Sequence, residues 1–163
     1  MSTVNCLLRK NVFDSQIAAD NFKVNGTNNL IHFTGTGKTV TIVESIVQIL
    51  RYDGTKKILV CAPSDAACDV IAKRLLPVLP RSSEILRINW VSRNPASLPP
   101  VLLGCSPMDM SGFFMLPSPK RIQEVSVVIC QCFVAGCLEL ELSQGPWIDK
   151  HFTHCFIDES SQR

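Results

Sequence analysis

Apolar residues recur along this chain with two different periods, and the switch between them outlines the fold. Val40, Val43, Ile46, Val47 and Leu50 fall three and four apart, which predicts a helix over 37–51 with one apolar face, ended by Asp53-Gly54. A strand is predicted over 57–62, where Lys57 leads into the unbroken apolar run Ile58–Ala62, as expected of a strand buried on both sides of a parallel sheet. Ser64 or Asp65 then caps a second helix reaching about Leu76. Further strands are predicted over 85–90, 125–131 and 152–157, with a helix over 133–142. The start of the chain is less regular: 15–22 could make a short helix and 30–33 a short strand, and six of the eight asparagines fall in the first 29 residues. Residues 94–120 hold six of the ten prolines and are read as an irregular surface insertion. Strands alternating with helices predict an α/β domain. Its parallel sheet should be wound right-handedly, with the site at the carboxyl ends of the strands.

Composition narrows the class. The 163 residues suffice for one domain with a real core, and 46% hydrophobic residues are ordinary for a globular α/β protein. A net charge of +2 does not announce a nucleic-acid binder, although a local basic patch is compatible with it. The first segment is polar, unlike a signal peptide, and the run near 127–138 is too short to cross a bilayer, so no membrane role is expected. Eight cysteines without a C-x-x-C pair favour neither a disulfide framework nor zinc, and Cys61, Cys130 and Cys155 read as buried free thiols. His151 and His154 lack ligand spacing and read as structural. Trp90 and Trp147 could stack on bases, but packing is the default.

The chemistry lies in two short motifs. Gly35-Thr36-Gly37-Lys38-Thr39 is the second half of a phosphate-binding P-loop. Backbone N–H groups of the glycine turn and of the following helix would wrap phosphates, Lys38 would reach the outer ones, and Thr39 would offer its hydroxyl to Mg²⁺. Far downstream, Asp158-Glu159 ends an apolar strand: Asp158 can hold Mg²⁺ through water, and Glu159 can orient or deprotonate an attacking water. A glycine turn capping an ordinary helix would explain neither the Lys-Thr pair nor the distant acidic pair. The full pattern asks for glycine where His32 stands, and a histidine there would cost about 1 kcal/mol or more if a left-handed turn is needed.

Together, residues 35–50, 58–75, 127–136 and 151–162 resemble the first RecA-like domain of superfamily 1 RNA helicases, nearest to the Armitage and Mov-ten-like group. The likeness spans 34–162 and includes the Ser-Arg-Asn-Pro-Ala-Ser stretch at 92–97. It implies a RecA-like P-loop domain over 34–163 behind an atypical lead-in, 1–33, that is not the family's usual one. By position, Gln162 completes the family's Asp-Glu-x-x-Gln motif near the γ-phosphate, beside the catalytic Glu159. Pro63, Ser64 and Asp65 fall in the motif that touches the RNA backbone, with Asp65 replacing an asparagine. Cys130 and Gln131 stand where the family has two RNA-contacting threonines, and Gln16 lies at about the distance of the adenine-reading glutamine.

The resemblance further implies ATP and Mg²⁺ as cofactors, and single-stranded RNA and RNA-silencing proteins as partners. A cytoplasmic location, ribonucleoprotein granules included, follows from the same likeness. It also implies a second RecA-like domain, with an arginine finger, that these residues do not include. On that expectation the isolated chain turns over little ATP and holds RNA weakly. Asp65 is expected to repel a passing phosphate. The alternative is a non-catalytic nucleotide-binding, RNA-binding or interaction protein.

Overall fold

The structure, a computed structural model, describes residues 2–8, 28–32, 38–79, 84–142 and 151–158. The strands are β1 (Ser2–Leu8), β2 (Asn28–His32), β3 (Ile58–Ala62), β4 (Ile85–Arg87), β5 (Val127–Gln131) and β6 (His154–Ile157). The helices are α1 (Lys38–Tyr52), α2 (Asp65–Leu75), α3 (Pro119–Glu124) and α4 (Cys132–Leu142). One six-stranded sheet has the order β2-β1-β6-β3-β5-β4. The run β6-β3-β5-β4 is parallel. β1 lies antiparallel between β2 and β6, which leaves β2 pointing the same way as the parallel run.

Strand alternation divides the core in two. Ile58 and Val60 of β3, Val127 and Ile129 of β5 and Phe156 of β6 face one side, packed with Ile42, Ile46 and Val47 of α1 and Cys68, Ile71, Ala72 and Leu75 of α2. Cys61, Leu86, Val128 and Cys130 face the other, against Val134 and Leu138 of α4 and Ile122 of α3. Burying each of these Ile, Leu or Val side chains contributes roughly 1.5–3 kcal/mol. The β3–α2–β4 crossover steps outward on the first face, and the β5–α4–β6 crossover steps back on the second. Both therefore have the same hand, as parallel crossovers require.

The helix limits follow local chemistry. Ser64 is extended and its Oγ accepts from Ala67 N–H at 3.2 Å, a serine N-cap for α2. Ser118 caps α3 in the same way, with Pro119 at the first helical position. At the amino end of the sheet, Lys57 Nζ donates to Gln123 O and Val125 O, each at 2.8 Å, tying the end of α3 to β3.

Three expectations need correction. β1 went unread, although Val4, Cys6 and Leu8 alternate with Thr3, Asn5 and Leu7. His32 closes β2 as an extended residue paired with Ser2, so its position demands no glycine-only turn. The proline-rich segment is irregular, with 3₁₀ turns at Pro95–Ser97 and Pro100–Cys105, but it is not merely superficial. Leu98, Leu102, Cys105 and Phe114 are buried in the first-face core. Prolines forecast an irregular backbone; they say nothing about which side chains between them point inward. The 15–22 helix falls outside the described residues.

Candidate nucleotide and nucleic-acid site

The carboxyl ends of β6, β3, β5 and β4 form one edge in that order. Asp158 follows β6, is 6% exposed, and its N–H donates to Cys61 O of β3 at 2.8 Å. Being two residues beyond Phe156, it lies on the α1 side of the sheet by strand alternation. Pro63 and Ser64, both exposed, follow β3; Gln131, half-buried, ends β5. α1 opens at Lys38-Thr39, with five residues between it and the end of β2. Gly35, Thr36, Gly37, Glu159, Gln162 and Gln16 lie outside the described residues, and of Lys38 only the helical backbone is described.

Asp65 was expected to set a bare negative charge beside RNA. Instead its Oδ1 accepts from Arg87 Nη2 at 2.7 Å and lies 3.6 Å from Arg93 Nη1. Arg87 is 0% exposed; its Nε donates to Asp69 Oδ1 at 3.0 Å and its Nη1 to Ile88 O at 2.6 Å. Arg93 reaches the same Asp69 through Nη1 and Nη2, at 3.1 and 2.7 Å. Arg93 also donates to Asn89 Oδ1 and to Ser97 Oγ, and lies 5.9 Å over the Phe114 ring. Two arginines and two aspartates cancel, so the site's local charge is balanced inside the protein. The network joins α2, β4 and the proline-rich segment directly behind Ser64.

Cys130 is also corrected. It points into the second-face core at 0% exposure, paired in register with Cys61, so only its neighbour Gln131 reaches the edge. An apolar strand alternates, and adjacent residues cannot both face the same surface. Cys61 is buried and Cys155 half-buried. Hydrogen bonding with Cys130 and burial push the Cys61 thiol up, and hydrogen bonding with Cys61 and burial do the same to Cys155. Burial raises the exposed-edge thiol of Cys132 too. These are neutral thiols, not poised nucleophiles. Among the described residues no group of three or more His, Cys, Asp or Glu could hold a metal.

Arg93 lies in the 92–97 stretch already singled out, whereas Arg87 and Asp69 are not assigned a role from the sequence, yet each of these two leaves a trace there. Arg87 interrupts the apolar alternation of Ile85–Trp90 at an inward position, and Asp69 stands one helical turn after Asp65.

Comparison with known proteins decides what this edge belongs to. The AAA domain family matches residues 11–100, more than half of the chain. The putative helicase mov-10-B.1 of Danio rerio is 36% identical over 77% of the chain and 12% of its own length. RNA helicase Mov10l1 of Mus musculus is 31% identical over 78% of the chain and 10% of its own length. The chain belongs to the AAA domain family, on its Mov10- and Armitage-like superfamily 1 helicase branch. This helicase domain is also 29% identical to the probable RNA helicase armi of Drosophila melanogaster, over 78% of the chain and 12% of that protein. It spans about an eighth of the curated relatives it matches. No solved structure matches it. The family match starts at residue 11, and so takes in Gln16 and part of the lead-in.

Proposed function

We propose that the chain is the ATP-binding first motor domain of an RNA helicase, which in a full-length protein couples ATP hydrolysis to RNA remodelling in RNA silencing. One observation carries the reading. Lys38-Thr39 opens the helix that covers one face of the sheet, and Asp158 ends a central strand, buried, on that same face.

The residues suit Mg²⁺-ATP. A threonine hydroxyl and one carboxylate are hard oxygen donors, and Mg²⁺ is commonly held by one or two carboxylates plus substrate phosphates. When bound, the ion neutralises charge on the phosphate oxygens. Thr39 and Asp158 would hold it, and Lys38 with the backbone of Gly35–Gly37 would hold the phosphates. Gln16 would lie against adenine. Glu159 would orient the attacking water and Gln162 would sit near the γ-phosphate. Single-stranded RNA would cross the strand ends at Pro63, Ser64 and Gln131. RNA-silencing proteins as partners, and a cytoplasmic or granular location, belong to the same proposal.

Binding of a fluorescent ATP analogue tests it. The wild-type chain should bind in the presence of Mg²⁺, and Lys38→Ala should remove most of that binding. Equal affinity of the two proteins would overturn the P-loop assignment.

A further inference from the structure

Phe133 is the second residue of α4, two positions past Gln131, and is 58% exposed. Its ring meets the half-buried Trp90 edge to face, with centroids 4.8 Å apart and planes at 72°. Trp90 itself stands just beyond β4, whose ladder to β5 continues through Ile88 N–H donating to Ile129 O. The pair therefore sits at the ends of β4 and β5, on the edge that carries Ser64 and Gln131. Trp90 also packs on the second-face core and anchors the pair from below. An edge-to-face contact occupies at most one face of Phe133, and the ring's exposure leaves the other open.

We infer that Phe133, braced by Trp90, is a stacking platform for an unpaired nucleobase of single-stranded RNA. The inference rests on the RNA-helicase reading and adds a residue to it. The chemistry of the edge favours a base over a phosphate at this point. The nearby cation Arg93 is already committed to Asp65 and Asp69, and Ser64 and Gln131 are neutral hydrogen-bonding groups. With Arg93 paired, stacking and neutral hydrogen bonds are what the described residues around Phe133 offer to RNA. Every base offers a π-face, so such a platform is tolerant of sequence.

The test measures anisotropy of a labelled single-stranded oligouridine RNA titrated with the 163-residue chain. A matched tract with abasic sites serves as the comparison, and ATP-analogue binding is followed in parallel. Phe133→Ala and Phe133→Leu should each weaken oligouridine binding roughly 5- to 150-fold, and Phe133→Trp should retain it. Phe133→Leu keeps an apolar contact with Trp90 but removes the aromatic face, so it separates stacking from support. The salt dependence should stay unchanged across the variants, because no phosphate contact is lost. On the abasic tract, wild type and Phe133→Ala should bind alike. RNA binding that ignores Phe133, or an equal loss on both tracts, would overturn the platform alone. No RNA binding by a wild-type chain that still binds the ATP analogue would overturn the RNA reading and the platform together.

Discussion

Removing Asp69 should damage this domain more than any single surface change, because it strands two arginines. Arg87 has no solvent exposure, and its Nε bonds to Asp69 Oδ1 at 3.0 Å. Arg93, with its side chain 7% exposed, bonds to Asp69 Oδ2 at 2.7 Å. In Asp69→Ala both guanidinium groups would keep their neutral acceptors but share Asp65, whose side chain is 26% exposed, as the one carboxylate left in the network. Breaking a buried pair by deleting one partner typically costs about 3–5 kcal/mol. For a domain of this size, each kcal/mol lowers the melting midpoint by about 2–4 °C, so the expected drop is roughly 6–20 °C. Urea titration and thermal melts of wild type, Asp69→Ala, Arg87→Ala and the double variant would measure it. The cycle should show strong coupling between Asp69 and Arg87, of order 0.5–3 kcal/mol. Asp65→Asn should be milder, since Asp65 is partly exposed, and it should not tighten RNA binding, because its charge is already matched. A loss below about 1 kcal/mol for Asp69→Ala, with additive single effects, would refute the reasoning.

Other outcomes follow from local chemistry. Burial holds His151 and His154 below the ordinary imidazole value, so both stay neutral in the fold at pH values where the unfolded chain protonates. Stability should be full above about pH 6.5 and fall as pH drops toward the depressed folded values, so the melting midpoint should be lower at about pH 5.5 than at about pH 7.5; a flat profile across that range would contradict this. Under native conditions iodoacetamide should label Cys132 before Cys61, Cys68, Cys105 and Cys130, since Cys132 is exposed and the others are buried, as peptide mass spectrometry would show. Burial also pushes the Cys68 thiol up to about 12, and early labelling there would contradict its packing. Gly112 has φ of +82° in a turn where Asp109 Oδ1 accepts from Ser111 and Phe113 N–H, and no atom crowds its missing side chain. Gly112→Ala should therefore cost about 1–2 kcal/mol through backbone strain alone, read from the urea midpoint, and Gly112→Asn should cost less.

The parallel core was legible because its central strands β3 and β5 are nearly unbroken apolar runs and α1 has one apolar face. Ile58–Ala62, Val127–Gln131 and the α1 stripe therefore announced themselves. β1 was obscured by neighbouring asparagines and by weak strand formers, and its place between β2 and β6 is set by pairing across the chain that no local pattern encodes. The acidic end of β6 could be read directly and the cap of α2 narrowed to Ser64 or Asp65, because each is defined by a few adjacent residues. Asp65 could not: its chemistry depends on Arg87 and Arg93, 22 and 28 positions away, which only folding brings to it. The same holds for Phe133, whose meaning comes from Trp90 on another strand end.

Calorimetric titration of ATP into the chain, with and without Mg²⁺, tests the central claim most directly when wild type is compared with Asp158→Asn. The account predicts that Mg²⁺ strengthens ATP binding to wild type and loses most of that effect in Asp158→Asn, while metal-free binding is preserved. An equal response to Mg²⁺ in both proteins, or no ATP binding by a folded wild-type chain, would contradict it.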